Sequence, residues 1–112
     1  CIVSSSMELG GNAPFLVFDD ADVEAAVAGA MIGKMRNGGQ ACTAANRFLV
    51  QKGIAPAFVQ RFTEAMRGVK VGNGLESGVG LGPLINAAAC NTVQELVDDA
   101  VGSGAVPSRT NV

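Results

Sequence analysis

An α/β fold, with helices layered on a small sheet, is predicted for this 112-residue chain by three observations. Phe15-Leu16-Val17-Phe18 is a continuous apolar run of strand length, the pattern of a buried strand. Val23, Ala26, Val27, Ala30, Met31 and Met35 then recur at helical spacing. Beyond them strand-like and helix-like segments alternate, which is the order that builds sheet-and-helix layers.

Taken in order, Ile2 to Ser5 are β-branched and small and read as a short strand. Glu8-Leu9-Gly10-Gly11 interrupts any regular element, and Pro14 restricts Ala13 to an extended conformation. After the apolar run, Asp19-Asp20-Ala21-Asp22 marks a helix start, because acidic side chains cap free N–H groups and favour the positive end of the dipole. Lys34 and Arg36 fall in that helix's last turn, and Asn37-Gly38-Gly39 ends it. Arg47 to Gln51 reads as a second strand. A second amphipathic helix is set by Ile54, Phe58, Phe62, Met66 and Val69, with Pro56 tolerated in its first turn. The glycines and Pro83 of residues 71 to 84 predict a long loop. A third helix carries Ala89, Val93, Leu96 or Val97, and Ala100, and is closed by Gly102 and Gly104. There is no internal repeat and no low-complexity segment.

Composition narrows the function classes. A net charge of -2 gives no electrostatic reason to expect nucleic acid or an anionic membrane as partner. Aromatics make up 4% of the chain, all of them Phe, so stacking platforms for bases are not expected. Glu24, Lys34, Arg47 and Arg61 break the apolar stretches well short of the roughly 18 to 20 residues a membrane span needs. No basic start followed by an apolar core marks a signal peptide. Three cysteines without repeated spacing argue against a disulfide framework and fit a reducing cytoplasm. With no His, Cys-His and Ser-His-Asp catalysis within the chain are excluded, and the singly spread cysteines predict no metal site.

Two places could carry chemistry. In Asn37-Gly38-Gly39-Gln40-Ala41-Cys42, paired glycines, a polar residue and a small residue lead to a thiol. Glycine lets backbone N–H groups come close to a ligand and can build an oxyanion site. By themselves, though, these residues favour a helix end followed by a small, inert buried Cys. Glu8, flanked by Met7 and Leu9, could be a base if desolvation raised its proton affinity, but composition alone favours an exposed strand-end Glu.

Taken together, Met7-Glu8-Leu9-Gly10-Gly11-Asn12-Ala13-Pro14 and Asn37-Gly38-Gly39-Gln40-Ala41-Cys42 resemble the two signature motifs of the aldehyde dehydrogenase superfamily. The family pattern is Glu-Leu-Gly-Gly followed by Asn-x-Gly-Gln-x-Cys, in this order and at about this separation. Phe15 to Val27, Ala45-Asn46-Arg47, Val71-Gly72-Asn73-Gly74 and Gly82-Pro83-Leu84-Ile85 extend the similarity, which runs from about Ser6 to Ala105. Gly-Asn-Ala-Pro-Phe and Ala-Cys-Thr-Ala-Ala-Asn-Arg look most like the succinate-semialdehyde dehydrogenase subgroup. Where some relatives carry a second Cys two positions after the nucleophile, this chain has Ala44, so a redox switch through that neighbour is not available.

The resemblance implies oxidation of a small aldehyde, such as succinate semialdehyde, to the carboxylic acid with NAD or NADP. Cys42 would be the nucleophile, forming a thiohemiacetal and then a thioester, and Glu8 the base that activates the hydrolytic water. An ordinary thiol is mostly protonated at neutral pH, so a proton acceptor or nearby donors must favour the thiolate. The Cys42 backbone N–H would hold part of the oxyanion, and Leu9 and Gly10 would lie against the nicotinamide. A homo-oligomeric parent enzyme is also implied.

The departures shape the domain expectation. Cys1 to Ser5 lack the basic residue usual before the Glu motif, and Val106 to Val112 do not continue as the family's strand and paired glycines. Residues 1 to 112 are expected to be a partial catalytic domain, the aldehyde dehydrogenase-like fold left incomplete. The dinucleotide-binding domain, which sets NAD against NADP preference and mainly holds the cofactor, is absent from the sequence. The chain alone is therefore expected to be inactive. The rival reading is a non-catalytic α/β module that at most associates with other chains. A cofactor-free thioesterase or esterase lacks an identifiable second oxyanion donor.

Overall fold

A computed structural model describes residues 2–108. Cys1, one of the three cysteines, and residues 109–112, the end of the Val106 to Val112 segment, lie outside the described residues. Strand β1 (Ala13–Val17) pairs in parallel with strand β2 (Ala45–Val50), and helix α1 (Val23–Met35) with a 3-10 turn (Arg36–Gly39) connects them. Helix α2 (Ala55–Arg67) follows β2, and helix α3 (Ala87–Gly102) comes last. The α/β class is as the sequence predicts, with the helices at the predicted places. The chain divides into two compact units, the boundary falling between Met66 and Arg67 in the last turn of α2.

The first unit is a strand-helix-strand-helix arrangement. Asp22 caps α1, its side chain accepting the Ala25 N–H at 2.7 Å. From α1, Val27 and Ala30 meet Val17 of β1 and Ile54 and Phe58 at the start of α2. Four of the five Phe residues gather on this side of the sheet. The Phe48 ring lies 5.5 Å from Phe15 and 5.1 Å from Phe62, centroid to centroid, and Phe58 and Phe62 stack at 5.5 Å. Burying a ring such as Phe58, which is 2% exposed, stabilises the fold by roughly 1.5 to 3 kcal/mol.

The strand ends are latched by polar contacts. The Asp19 carboxylate accepts the Ile54 N–H at 3.0 Å, and the Asp19 N–H donates to Gln51 Oε1 at 2.7 Å. A Cβ on Gly53 would stand 2.8 Å from that carboxylate, so the absent side chain leaves room for the latch. On the outer surface the Arg61 guanidinium joins Glu24 of α1, with its nearer contact at 2.7 Å. The hydrogen bond from Arg61 holds the Glu24 carboxyl below its ordinary value, and Glu24 in turn raises Arg61.

Three expectations need correction. Ile2 to Ser5 form no strand; they are irregular and exposed, because no strand among the described residues takes up their backbone groups. The second strand begins at Ala45 and ends at Val50, as the pairing to β1 sets its limits. The apolar run of β1 is covered on one face only. Phe15 and Val17 turn toward the helices, while Leu16 and Phe18, like Leu49 on β2, stay more than half exposed.

In the second unit, residues 68–86 form the predicted loop, drawn together by a bridge between Val71 and Leu81. The Asn73 side chain accepts the Leu75 N–H at 3.0 Å, a local turn that Asn favours. Helix α3 opens with Asn86, which accepts the Ala89 N–H at 2.9 Å. It closes with Gly104 at φ 97°, where the Ala105 N–H reaches back to the Ala100 carbonyl. Its predicted stripe is formed, but Val93, Leu96 and Val97 are exposed.

Candidate active site

Cys42 occupies a tight turn just before β2. The turn is closed by the Ala44 N–H donating to the Ala41 carbonyl at 2.9 Å, so Cys42 and Thr43 are its two middle residues. Chain reversal ahead of it comes from Asn37, Gly38 and Gly39, which all take left-handed backbone, with φ of 50°, 64° and 78°. Behind it, Ala44 and Ala45 are buried, and Ala45 begins the sheet pairing. The thiol itself is free and exposed, contrary to the inert, buried Cys that the residues alone favoured. Small buried residues anchor the turn while its tip stays open.

The Glu8-Leu9-Gly10-Gly11 segment lies directly against this turn. The Gly11 N–H donates to the Cys42 carbonyl at 3.1 Å. A Cβ placed on Gly10 would stand 2.7 Å from the Cys42 Cβ and 3.3 Å from its carbonyl oxygen. No side chain fits there, so glycine at position 10 is what lets the two segments touch. At Gly11 the same construction meets nothing within 4 Å. Leu9, Gly10, Gly11, Asn12, Ala13, Cys42 and Thr43 line an open cleft of about 310 Å³. Glu8 is exposed and stands one residue upstream of Leu9, outside that lining.

The structure thus brings Cys42, Leu9 and Gly10 together and leaves Glu8 exposed, outside the cleft lining. It also shows residues that spacing did not reveal. Arg47 donates twice to the Asn12 carbonyl, from Nε at 3.1 Å and Nη2 at 2.9 Å. The Asn46 amide donates to Asn12 Oδ1 at 3.1 Å, and Asn46 Oδ1 accepts from Lys34 Nζ at 2.7 Å. The pairing register shifts at this point: Ala13 stands opposite Ala45 and Pro14 opposite Arg47, which leaves Asn46 as the extra residue of a bulge. Pro14, with no N–H to give the ladder, was the available hint of an irregularity.

An exposed thiol beside glycine-walled backbone and an open cleft is the arrangement that covalent chemistry on a small electrophile requires. The aldehyde dehydrogenase family profile matches residues 2–108. A succinate semialdehyde dehydrogenase of Acinetobacter baylyi is 58% identical over 96 residues, covering 86% of this chain and 20% of that protein. A glutarate-semialdehyde dehydrogenase of Pseudomonas aeruginosa is 57% identical over 100 residues, covering 89% and 21%. Among solved structures, the betaine aldehyde dehydrogenase of Staphylococcus aureus in complex with NAD+ matches with a TM-score of 0.83 at 37% identity. That alignment covers 91% of this chain and 20% of the other. The chain belongs to the aldehyde dehydrogenase family. It spans about a fifth of the length of the curated relatives it matches.

Among the described residues, no helix is long and apolar enough to cross a membrane.

Proposed function

We propose that these 112 residues are the thiol-bearing part of the catalytic domain of an NAD(P)-dependent aldehyde dehydrogenase acting on a semialdehyde. Succinate semialdehyde is the substrate favoured, given the 58% identity to a succinate semialdehyde dehydrogenase. The five-carbon glutarate homologue is the nearest competitor. The observation that carries the reading is the contact of the two motif segments, with Gly10 closed against the Cys42 Cβ and Gly11 bonded to the Cys42 carbonyl. Sequence alone places these segments far apart, and the fold brings them into contact.

In this reading the Cys42 thiolate attacks the aldehyde carbon and gives a thiohemiacetal, whose oxyanion takes a hydrogen bond from the Cys42 backbone N–H. The chemistry that the nicotinamide cofactor supplies when bound is acceptance of the hydride that turns the thiohemiacetal into a thioester. Glu8 takes a proton from water as it adds to the thioester; the acid leaves and the Cys42 thiolate is restored. Leu9 and Gly10 line the cleft beside Cys42 and would hold the nicotinamide end of the cofactor, which would supply a hydride acceptor next to the thiol. The rest of the dinucleotide would be held by a domain outside these residues, consistent with the one-fifth coverage of the relatives.

The test is turnover of succinate semialdehyde by the full-length enzyme carrying this segment, compared with its Cys42→Ala variant. Removing a covalent nucleophile is expected to lower kcat by roughly a million-fold. Retained turnover in the variant would sink the assignment. The 112-residue chain by itself is expected to reduce neither NAD nor NADP with any aldehyde.

A further inference from the structure

The segment of residues 2–12 has neither helix nor strand, yet in the proposed mechanism it must hold Glu8 to within a fraction of an ångström of the position from which it activates water against a thioester on Cys42. Residues 2–12 are exposed, and the hydrogen bonds that tie this segment to the rest of the described residues fall at Gly11 and Asn12. Gly11 makes one neutral hydrogen bond to the Cys42 carbonyl. Asn12 receives three more donors: the Asn46 amide on its side chain, and Arg47 Nε and Nη2 on its carbonyl. The Arg47 pair is charge-assisted and two-pronged, which makes it the strongest and the most directional of these contacts. The bulge at Asn46 explains why a side chain is needed here: the strand pairing is interrupted at the very residues that should dock Asn12.

Building on the proposed function, we propose that Arg47 is a positioning residue, whose two-donor grip on the Asn12 carbonyl sets the Glu8–Gly11 segment over Cys42. Arg47 and Cys42 belong to one continuous stretch leading into β2, so the grip ties the base-bearing segment directly to the nucleophile's own segment. Cys42 has separate anchors in the turn closed by Ala44 and in buried Ala44 and Ala45. Loosening Arg47 therefore displaces Glu8 more than Cys42. Hydrolysis of the thioester, the step that uses Glu8, slows more than formation of the thioester does. Lysine does not replace this grip, since an ammonium is a point donor without the guanidinium fork.

The experiment uses the full-length enzyme with Arg47→Met, Arg47→Lys and Asn46→Ala, and times single-turnover acylation and thioester hydrolysis separately. Arg47→Met is expected to slow hydrolysis about 100-fold, well beyond its effect on acylation, while KM for the aldehyde stays within about threefold. Thioester on Cys42 then accumulates. Arg47→Lys is expected to recover part of the loss, and Asn46→Ala to show the same bias at smaller size. Hydrolysis unchanged in Arg47→Met overturns the proposal, and so does an equal fall in both steps that tracks a lowered Tm. If Arg47→Met does not fold, hydrolysis at the parent rate in Arg47→Lys overturns it instead. An active Cys42→Ala enzyme would defeat the underlying mechanism, whereas an inactive one with Arg47→Met unimpaired defeats this inference alone.

Discussion

Cys42 stands between regular elements, the 3-10 turn that ends α1 and the strand β2, whereas Glu8 stands on an irregular segment held by a few polar contacts. The nucleophile's position follows from packing. Ala44 and Ala45 are buried, and β2 is fixed by its parallel pairing with β1 and by the Phe48 ring among Phe15, Phe58 and Phe62. The base's position follows from hydrogen bonds and from one steric fact, the bare Cα of Gly10 against Cys42. Segments with little buried apolar contact open at low free-energy cost, and packed ones do not. The two halves of the proposed mechanism should therefore respond differently to mutation.

Apart from loss of the nucleophile itself, the largest expected effect comes at the loosely held side. Glu8→Gln keeps size and removes the base, and it should slow thioester hydrolysis by roughly 100- to 10,000-fold while leaving the alkylation rate of Cys42 much less affected. A stopped-flow comparison of the two rates checks this. Equal loss in both would mean that Glu8 also serves the thiol. On the packed side, Phe58→Ala removes the most deeply buried ring and should cost about 3 to 5 kcal/mol of stability, read by denaturant unfolding. Activity per folded molecule should hardly change, since the core lies away from the cleft.

Gly10→Ala sharpens the comparison from the interface of the two segments. Its Cβ would overlap the Cys42 Cβ at 2.7 Å, so one segment must yield. The irregular one is expected to move, with a loss of activity of roughly 100-fold and a small change in Tm. A large fall in Tm would show that the Cys42 turn had moved instead. Smallest of all is Glu24→Gln. The Glu24 carboxyl is lowered in the folded state, so its pair with Arg61 contributes above the ordinary carboxylate range and fades as pH falls through the folded value. Both partners are exposed, so only a slight drop in Tm at pH 7 is expected, vanishing once pH falls below the lowered folded value of Glu24 and shrinking in high salt.

Much of the fold was legible because local signals agreed. Asp22 capped α1 as the acidic run implied, Asn37-Gly38-Gly39 ended it in left-handed backbone, and Gly104 closed α3. The Ile2 to Ser5 strand failed because β-branched residues form a strand only with a partner, and among the described residues none pairs with them. The apolar run of β1 implied cover on both faces, yet Leu16 and Phe18 remain exposed; a run of apolar residues records what a strand can bury and not what covers it. At the site, Cys42 and Gly10 were readable as motif members. The bond between Arg47 and Asn12, 35 positions apart, was not readable, because nothing in one-dimensional spacing reports a side chain bonding a distant carbonyl across a bulge.

The central claim is that Cys42 carries the acyl group and Glu8 releases it. Its most direct test is mass spectrometry of the Glu8→Gln enzyme quenched in acid after mixing with succinate semialdehyde and oxidised cofactor. The account predicts a thioester-linked succinyl adduct on the peptide that contains Cys42, close to one per site, with Cys90 unmodified. No adduct on Cys42, or an adduct on Cys90 in its place, would contradict it.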